Sequence, residues 1–301
     1  MPTELPARRL APFWLALLGL AFLGGCASTS DSHVKKLASS GVAYGTALDS
    51  LLVATEETAV DASSSRLVSE TSGEKDATTR AQFLEAQDAI VKPQLVVFEQ
   101  LREQARLLAS YFQALGELAD DSTDKDVGDS LVGSAKALDK LGTELGASSF
   151  LGADEQDALH QAAGIVVHGV RQHAIAVELE ARGNLIDRQL RLNEALIRAL
   201  TRKLKADLAT LTVQGYARDV KGPFVNDKVT NTKSWMALRK QYLLTDRNVE
   251  ALEKAADAAT QLRAAWVACL EGRFDADAIQ DALADVDAAL SLTESIEAAR
   301  K

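Results

Sequence analysis

The sequence predicts an all-α protein: an elongated antiparallel helical bundle, or set of coiled-coil hairpins, of six or seven long helices. Two observations carry that expectation. Apolar residues recur at spacings of three and four almost throughout, while the period-two alternation of strands is nearly missing. Only five prolines and 18 glycines interrupt 301 residues, and Ala and Leu dominate, which suits helices and argues against a turn-rich β-sandwich or a disordered chain. Helices near forty residues would each reach about 60 Å at 1.5 Å per residue, and short turns between them favour antiparallel packing.

The first helix is expected from Asp31 to about Glu70. Its stripe is Val34, Leu37, Gly41, Tyr44, Leu48, Leu51, Thr55, Thr58 and Ala62, which weakens into Thr and Ala along its length. Thr71-Ser72-Gly73 signals a turn. A second helix follows from about Lys75 to Ala119, with Phe83, Ile90, Val97, Gln104, Tyr111 and Leu118 spaced by sevens. Gln87, Gln94, Leu101, Leu108 and Leu115 are its companion positions. The seven-residue register continues across Pro93, which favours a kink over a break. Asp120 to Asp126 reads as a loop, and a shorter helix then carries Leu131, Ala135, Leu138 and Leu145.

A fourth helix is expected to be capped by Asp154, with Leu159, Val166, Val170 and Val177 on its stripe and Gly183-Asn184 bending or ending it. The pattern resumes through Ile186, Leu190, Ile197, Leu200, Leu204 and Leu211, giving one very long helix or two. Residues Gly215 to Thr232 are the least regular, and Gly222-Pro223 is a breaker. Another long helix carries Trp235, Leu238, Tyr242, Val249, Leu252, Ala259 and Trp266, and a last one Ile279, Leu283, Val286, Leu290 and Ile296. No 34-residue repeat supports a tetratricopeptide solenoid.

Residues 1–25 are set apart from the fold as a signal peptide. Arg8 and Arg9 form a positive start, and Ala11 to Gly25 is uncharged but too short for the roughly twenty residues of a spanning helix. The stretch ends in Leu23-Gly24-Gly25-Cys26. This resembles the lipobox of bacterial lipoproteins, with Gly24 a slight departure from the usual Ala, Ser or Thr. The resemblance covers about twenty-six residues and implies cleavage before Cys26 and acylation of Cys26. Ala27, in place of a retaining Asp, implies sorting to the outer membrane, with the protein on the periplasmic face. Two or three acyl chains would make the anchor effectively permanent. Residues 26–31 are then a lipidated tether and 32–301 a single elongated domain. Cys269 is left as a lone thiol in an apolar helical run, where it reads as a buried small hydrophobe.

The formal charge of −10, from 33 Lys+Arg against 43 Asp+Glu, argues against a nucleic-acid partner, because such binding rests on clustered cations. Of the histidines, His160, His168 and His173 are spaced by eight and five and do not stack on one helix face. Asp157 and His160 form one carboxylate–histidine pair, where a di-iron bundle wants two. The acidic loop Asp120, Asp121, Asp124, Asp126 and Asp129 fails the calcium-loop pattern and reads as turn solvation and helix capping. Phosphate-loop, dinucleotide and nucleophile-elbow motifs are missing, so no metal or cofactor is expected.

One charge feature stands out. Arg182 to Lys205 holds seven basic residues against Asp187 and Glu194, and Arg191, Arg198 and Lys205 recur every seven residues with Arg202 on the same face. Such a stripe either pairs with the acidic helices beside it or faces an acidic protein partner or anionic envelope polymer. The sequence therefore points to an outer-membrane-anchored periplasmic lipoprotein. It would act as a non-catalytic helical scaffold or protein-binding module (an inhibitor being one form of that role), with a protein partner in the cell envelope and Arg191, Arg198, Arg202 and Lys205 as candidate contacts. The alternative is a metal- or ligand-binding bundle or enzyme using Asp157, His160 and His168.

Overall fold

The computed structural model describes residues 27–71, 73, 76–120, 125–146 and 173–273. The chain is an all-α bundle. Its elements are α1 (Ala27–Glu70), α2 (Ala77–Ala119), α3 (Lys125–Gly146), α4 (His173–Gly215), a π-helical turn (Tyr216–Lys221), the single turn α5 (Gly222–Val225) and α6 (Thr232–Leu270). At 1.5 Å per residue, the four long helices each extend roughly 60 Å.

Cross-helix pairs fix the directions. Asp49 meets Arg102 and Arg106, and Lys35 meets Asp120, so α2 runs back along α1. Lys205 meets Glu253, Arg198 meets Asp257, and the Gly183 carbonyl meets Trp266, so α6 runs back along α4. Tyr111 bonds Glu178 while Gln104 bonds Gln189, which sets α4 antiparallel to α2 and parallel to α1. The end of the bundle nearest Ala27 is called proximal below, and the other end distal.

The proximal core is dense. Leu101, Leu108, Tyr111, Phe112, Ile186, Ile197, Leu262 and Trp266 are fully enclosed. Tyr111, Phe112 and Trp266 meet edge to face, with ring centroids 5.6–6.2 Å apart, a geometry that aromatic quadrupoles favour. Glycine lets α1 and α2 approach closely here: a Cβ at Gly41 would overlap the Phe112 ring, and one at Gly45 would overlap the Ala105 carbonyl. Within Ser32–Glu70 one 18-residue window reaches a mean hydropathy of 1.2, apolar enough to cross a membrane by length and composition, yet 61% of that window is buried in the bundle.

Several expectations are met in detail. Every position of the α1 stripe named above is buried, Gly41, Thr55, Thr58 and Ala62 included. Pro93 lies inside an unbroken α2. Both Pro93 and Ala89, whose carbonyl loses its partner there, are exposed, so water can replace the missing bond. Others are corrected. Ala27 to Asp31 belong to α1 rather than to a separate tether. Gly183-Asn184 does not end α4, which runs on to Gly215; Gly183 is where Leu270 packs, and its carbonyl accepts the Trp266 indole N–H at 2.9 Å. Phe83 and Ile90 are exposed, since the first half of α2 extends past the core.

Gly222-Pro223 does not break the helix either. The π turn shifts the bonds to i−5, with the Gly222 N–H reaching the Ala217 carbonyl, so Pro223 begins a new turn where its missing N–H is tolerated. The chain leaves the helix at Asp227, whose φ of 52° is the left-handed conformation common at helix ends, while the Asn226 amide donates to the Gly222 carbonyl. Asn231 then caps α6 by accepting from the Ser234 N–H, and Asp76 caps α2 by accepting from the Thr79 N–H. The helices expected around 154–172 and 279–296 lie outside the described residues.

Candidate functional site

The basic stripe of α4 sits against carboxylates. Arg191 donates to Asp187 one turn earlier, at 3.0 Å, and Arg263 of α6 reaches the other oxygen of that carboxylate at 2.7 Å. Asp187 is only 2% exposed, so two guanidinium groups share its charge. Arg198 donates to Glu194 at 3.1 Å and to Asp257 of α6 at 3.0 Å, with Thr260 also in reach. Lys205 pairs with Glu253 of α6. Arg198 and Lys205 therefore pair across to α6, while Arg191 pairs within α4 with the carboxylate that Arg263 of α6 also meets, and together these form a seam of ion pairs between the two helices. Arg202 is exposed on the same helix.

Polar side chains also cross the proximal core. The Tyr111 hydroxyl donates to Glu178 at 3.0 Å, and Arg182 pairs with the same carboxylate. Burial raises the Glu178 pKa above the usual carboxylate range, and the Arg182 charge only partly offsets it. The Gln104 amide donates to Gln189 at 2.9 Å in full burial. These bonds join α2 to α4 and are lost if the helices slip by a turn. Cys269 lies in the same layer, 2% exposed, and burial pushes its thiol up to about 12, which suits packing rather than nucleophilic chemistry.

The distal end is built differently. The Trp235 indole donates to the Val220 carbonyl at 3.0 Å and closes the π turn onto the start of α6. Phe224 stacks on Trp235, with ring centroids 5.3 Å apart and planes 18° apart. Arg218 grips Asp219 by two hydrogen bonds of 2.6 and 2.7 Å, and the Tyr242 hydroxyl donates to the same carboxylate at 2.8 Å. Those bonds, Arg218 first, hold the Asp219 carboxyl below the usual range, and burial with Asp219 pushes Tyr242 up to about 12. A braced turn thus presents Phe224 and Val225, 65% and 69% exposed, and Met236 and Leu243 beside them.

No known protein family, curated protein or solved structure matches this chain. The reading of the site therefore rests on its own chemistry. Cys26, Asp157, His160 and His168 lie outside the described residues, and among those described no three His, Cys, Asp or Glu side chains are grouped to hold a metal. Sequence reasoning singled out Arg191, Arg198, Arg202 and Lys205 and passed over the distal turn. Its signal was present in the sequence. Residues 216–243 carry six basic side chains (Arg218, Lys221, Lys228, Lys233, Arg239, Lys240) against Asp219 and Asp227, a surplus of four cations in a chain of net −10.

Proposed function

We propose that this chain is an outer-membrane-anchored, periplasmic lipoprotein acting as a non-catalytic helical scaffold that binds a protein partner in the cell envelope. The observation that carries the reading is Leu23-Gly24-Gly25-Cys26 at the end of a charged-then-apolar leader. The described helix already includes Ala27, the residue after the candidate lipidation site, so an acyl anchor there would lie near the proximal end of the bundle. A helix of 44 residues then carries the distal turn roughly 60 Å from that anchor, a reach that suits a bracing or presenting element. Cys26→Ala tests the anchor. The parent should incorporate labelled palmitate and fractionate with outer membranes, and the variant should lose the label. A variant that still takes up palmitate and still fractionates with outer membranes contradicts the lipoprotein reading.

A further inference from the structure

We infer that the distal turn is a docking surface for an anionic lipid bilayer. Phe224 and Val225 are exposed on α5, where Trp235 backs Phe224 and its indole donates to the Val220 carbonyl. On α6, Met236, Lys240 and Leu243 lie at i, i+4 and i+7, so apolar and cationic side chains share one exposed stripe. Soluble surfaces show single exposed apolar residues commonly, but a grouped aromatic and aliphatic tip marks an interaction site.

The charge names the partner. Lys221, Lys228, Lys233, Arg239 and Lys240 are all exposed, and none forms an ion pair among the described residues. This contrasts with the α4 seam, where Arg191, Arg198 and Lys205 meet carboxylates. Lysine stems lie along apolar surface with the ammonium outward, and Trp and Phe suit the headgroup boundary, so apolar tip and cationic rim together match a bilayer rich in anionic lipid. A soluble acidic polymer would use the cations and leave Phe224 and Val225 without a role.

The inference does not depend on acylation of Cys26, and its test keeps the two apart. The full, unprocessed chain is held in phosphatidylcholine donor vesicles through its apolar leader, and co-flotation reports that step alone. Acceptor vesicles carry brominated acyl chains, with or without phosphatidylglycerol. Trp235 is the reporter, because Trp266 is fully enclosed and Trp14 belongs to the leader held in the donor membrane. Phosphatidylglycerol acceptors should be captured, should quench Trp235, and should release as salt is raised. Phe224→Asp with Val225→Asp should weaken capture at least about 10-fold, as should Lys221→Glu with Lys228→Glu and Lys233→Glu. These side chains are exposed, so unchanged helical content and melting temperature are expected and are checked first. Equal capture of pure phosphatidylcholine, full capture by either variant, or capture without quenching of Trp235 would overturn the inference. So would displacement by polyglutamate in a protein indifferent to the Phe224 and Val225 changes, which would assign the surface to an acidic polymer.

Discussion

The proximal and distal halves of the same helices differ in what fills the space between them. Proximally, α1, α2, α4 and α6 interleave Leu48, Leu101, Phe112, Ile197 and Trp266, and α3 covers a further side through Leu131, Leu138 and Leu145. Distally, α1 offers Thr55, Thr58, Ala59 and Ala62. A shallow groove opens there between Ala59, Ala62, Gln94 and Leu204. Ile90 lines it while 48% exposed, and Val68 and Leu84 are exposed as well. Large apolar side chains therefore serve cohesion at one end and are left for contact at the other. Stability and recognition are separated along the length of one bundle.

The contrast should be most visible at Trp266. It fills the centre of the proximal core and also satisfies the Gly183 carbonyl, so Trp266→Ala should cost about 3–5 kcal/mol in urea or thermal unfolding. The ion-pair seam comes next. Replacing Arg191, Arg198 and Lys205 together by Glu puts like charges against Asp187, Asp257 and Glu253, and should lower stability by about 2 kcal/mol with a clear fall in melting temperature. An unchanged melting temperature would mean that the seam does not join the helices.

A pH series probes the polar layer of the same core. Because burial raises the folded-state pKa of Glu178, its contribution is fully present below the unfolded carboxyl pKa of about 4.3 and is lost as pH rises through the folded value. Stability should therefore decline over that window in the parent, and Glu178→Gln should flatten the decline. A decline of unchanged slope would contradict the assignment. The smallest effects belong to the distal end: Val68→Ser and Ile90→Ser should each stay within about 0.5 kcal/mol of the parent.

Much of this was legible in the sequence where side-chain size and spacing agree. The α1 stripe could be read position by position, because a helix packed along its whole length must bury a face at spacing three to four. Spacing alone misled in α2, where Phe83 and Ile90 keep the seven-residue register of Val97 and Tyr111 but stay exposed. Periodicity says which residues share a face and not how far the partner helices extend. Gly222-Pro223 misled for another reason: a π turn changes the bonding register and removes the conflict that makes proline a breaker. Charge was readable as a pattern but not in its use, since Arg198 and Lys240 look alike in sequence. Only the fold shows that Arg198 meets Glu194 and Asp257 while Lys240 is exposed on the cation-rich first turns of α6.

Residue-resolved hydrogen exchange tests the division between the two halves most directly. Amides of Val97–Leu118, Ile175–Leu200 and Val249–Leu270 should exchange near the rate of global unfolding, and those of residues 77–93 and 216–243 should exchange at least about 100-fold faster through local opening. Uniform protection from end to end, or faster exchange around Trp266 than around Trp235, would contradict the account.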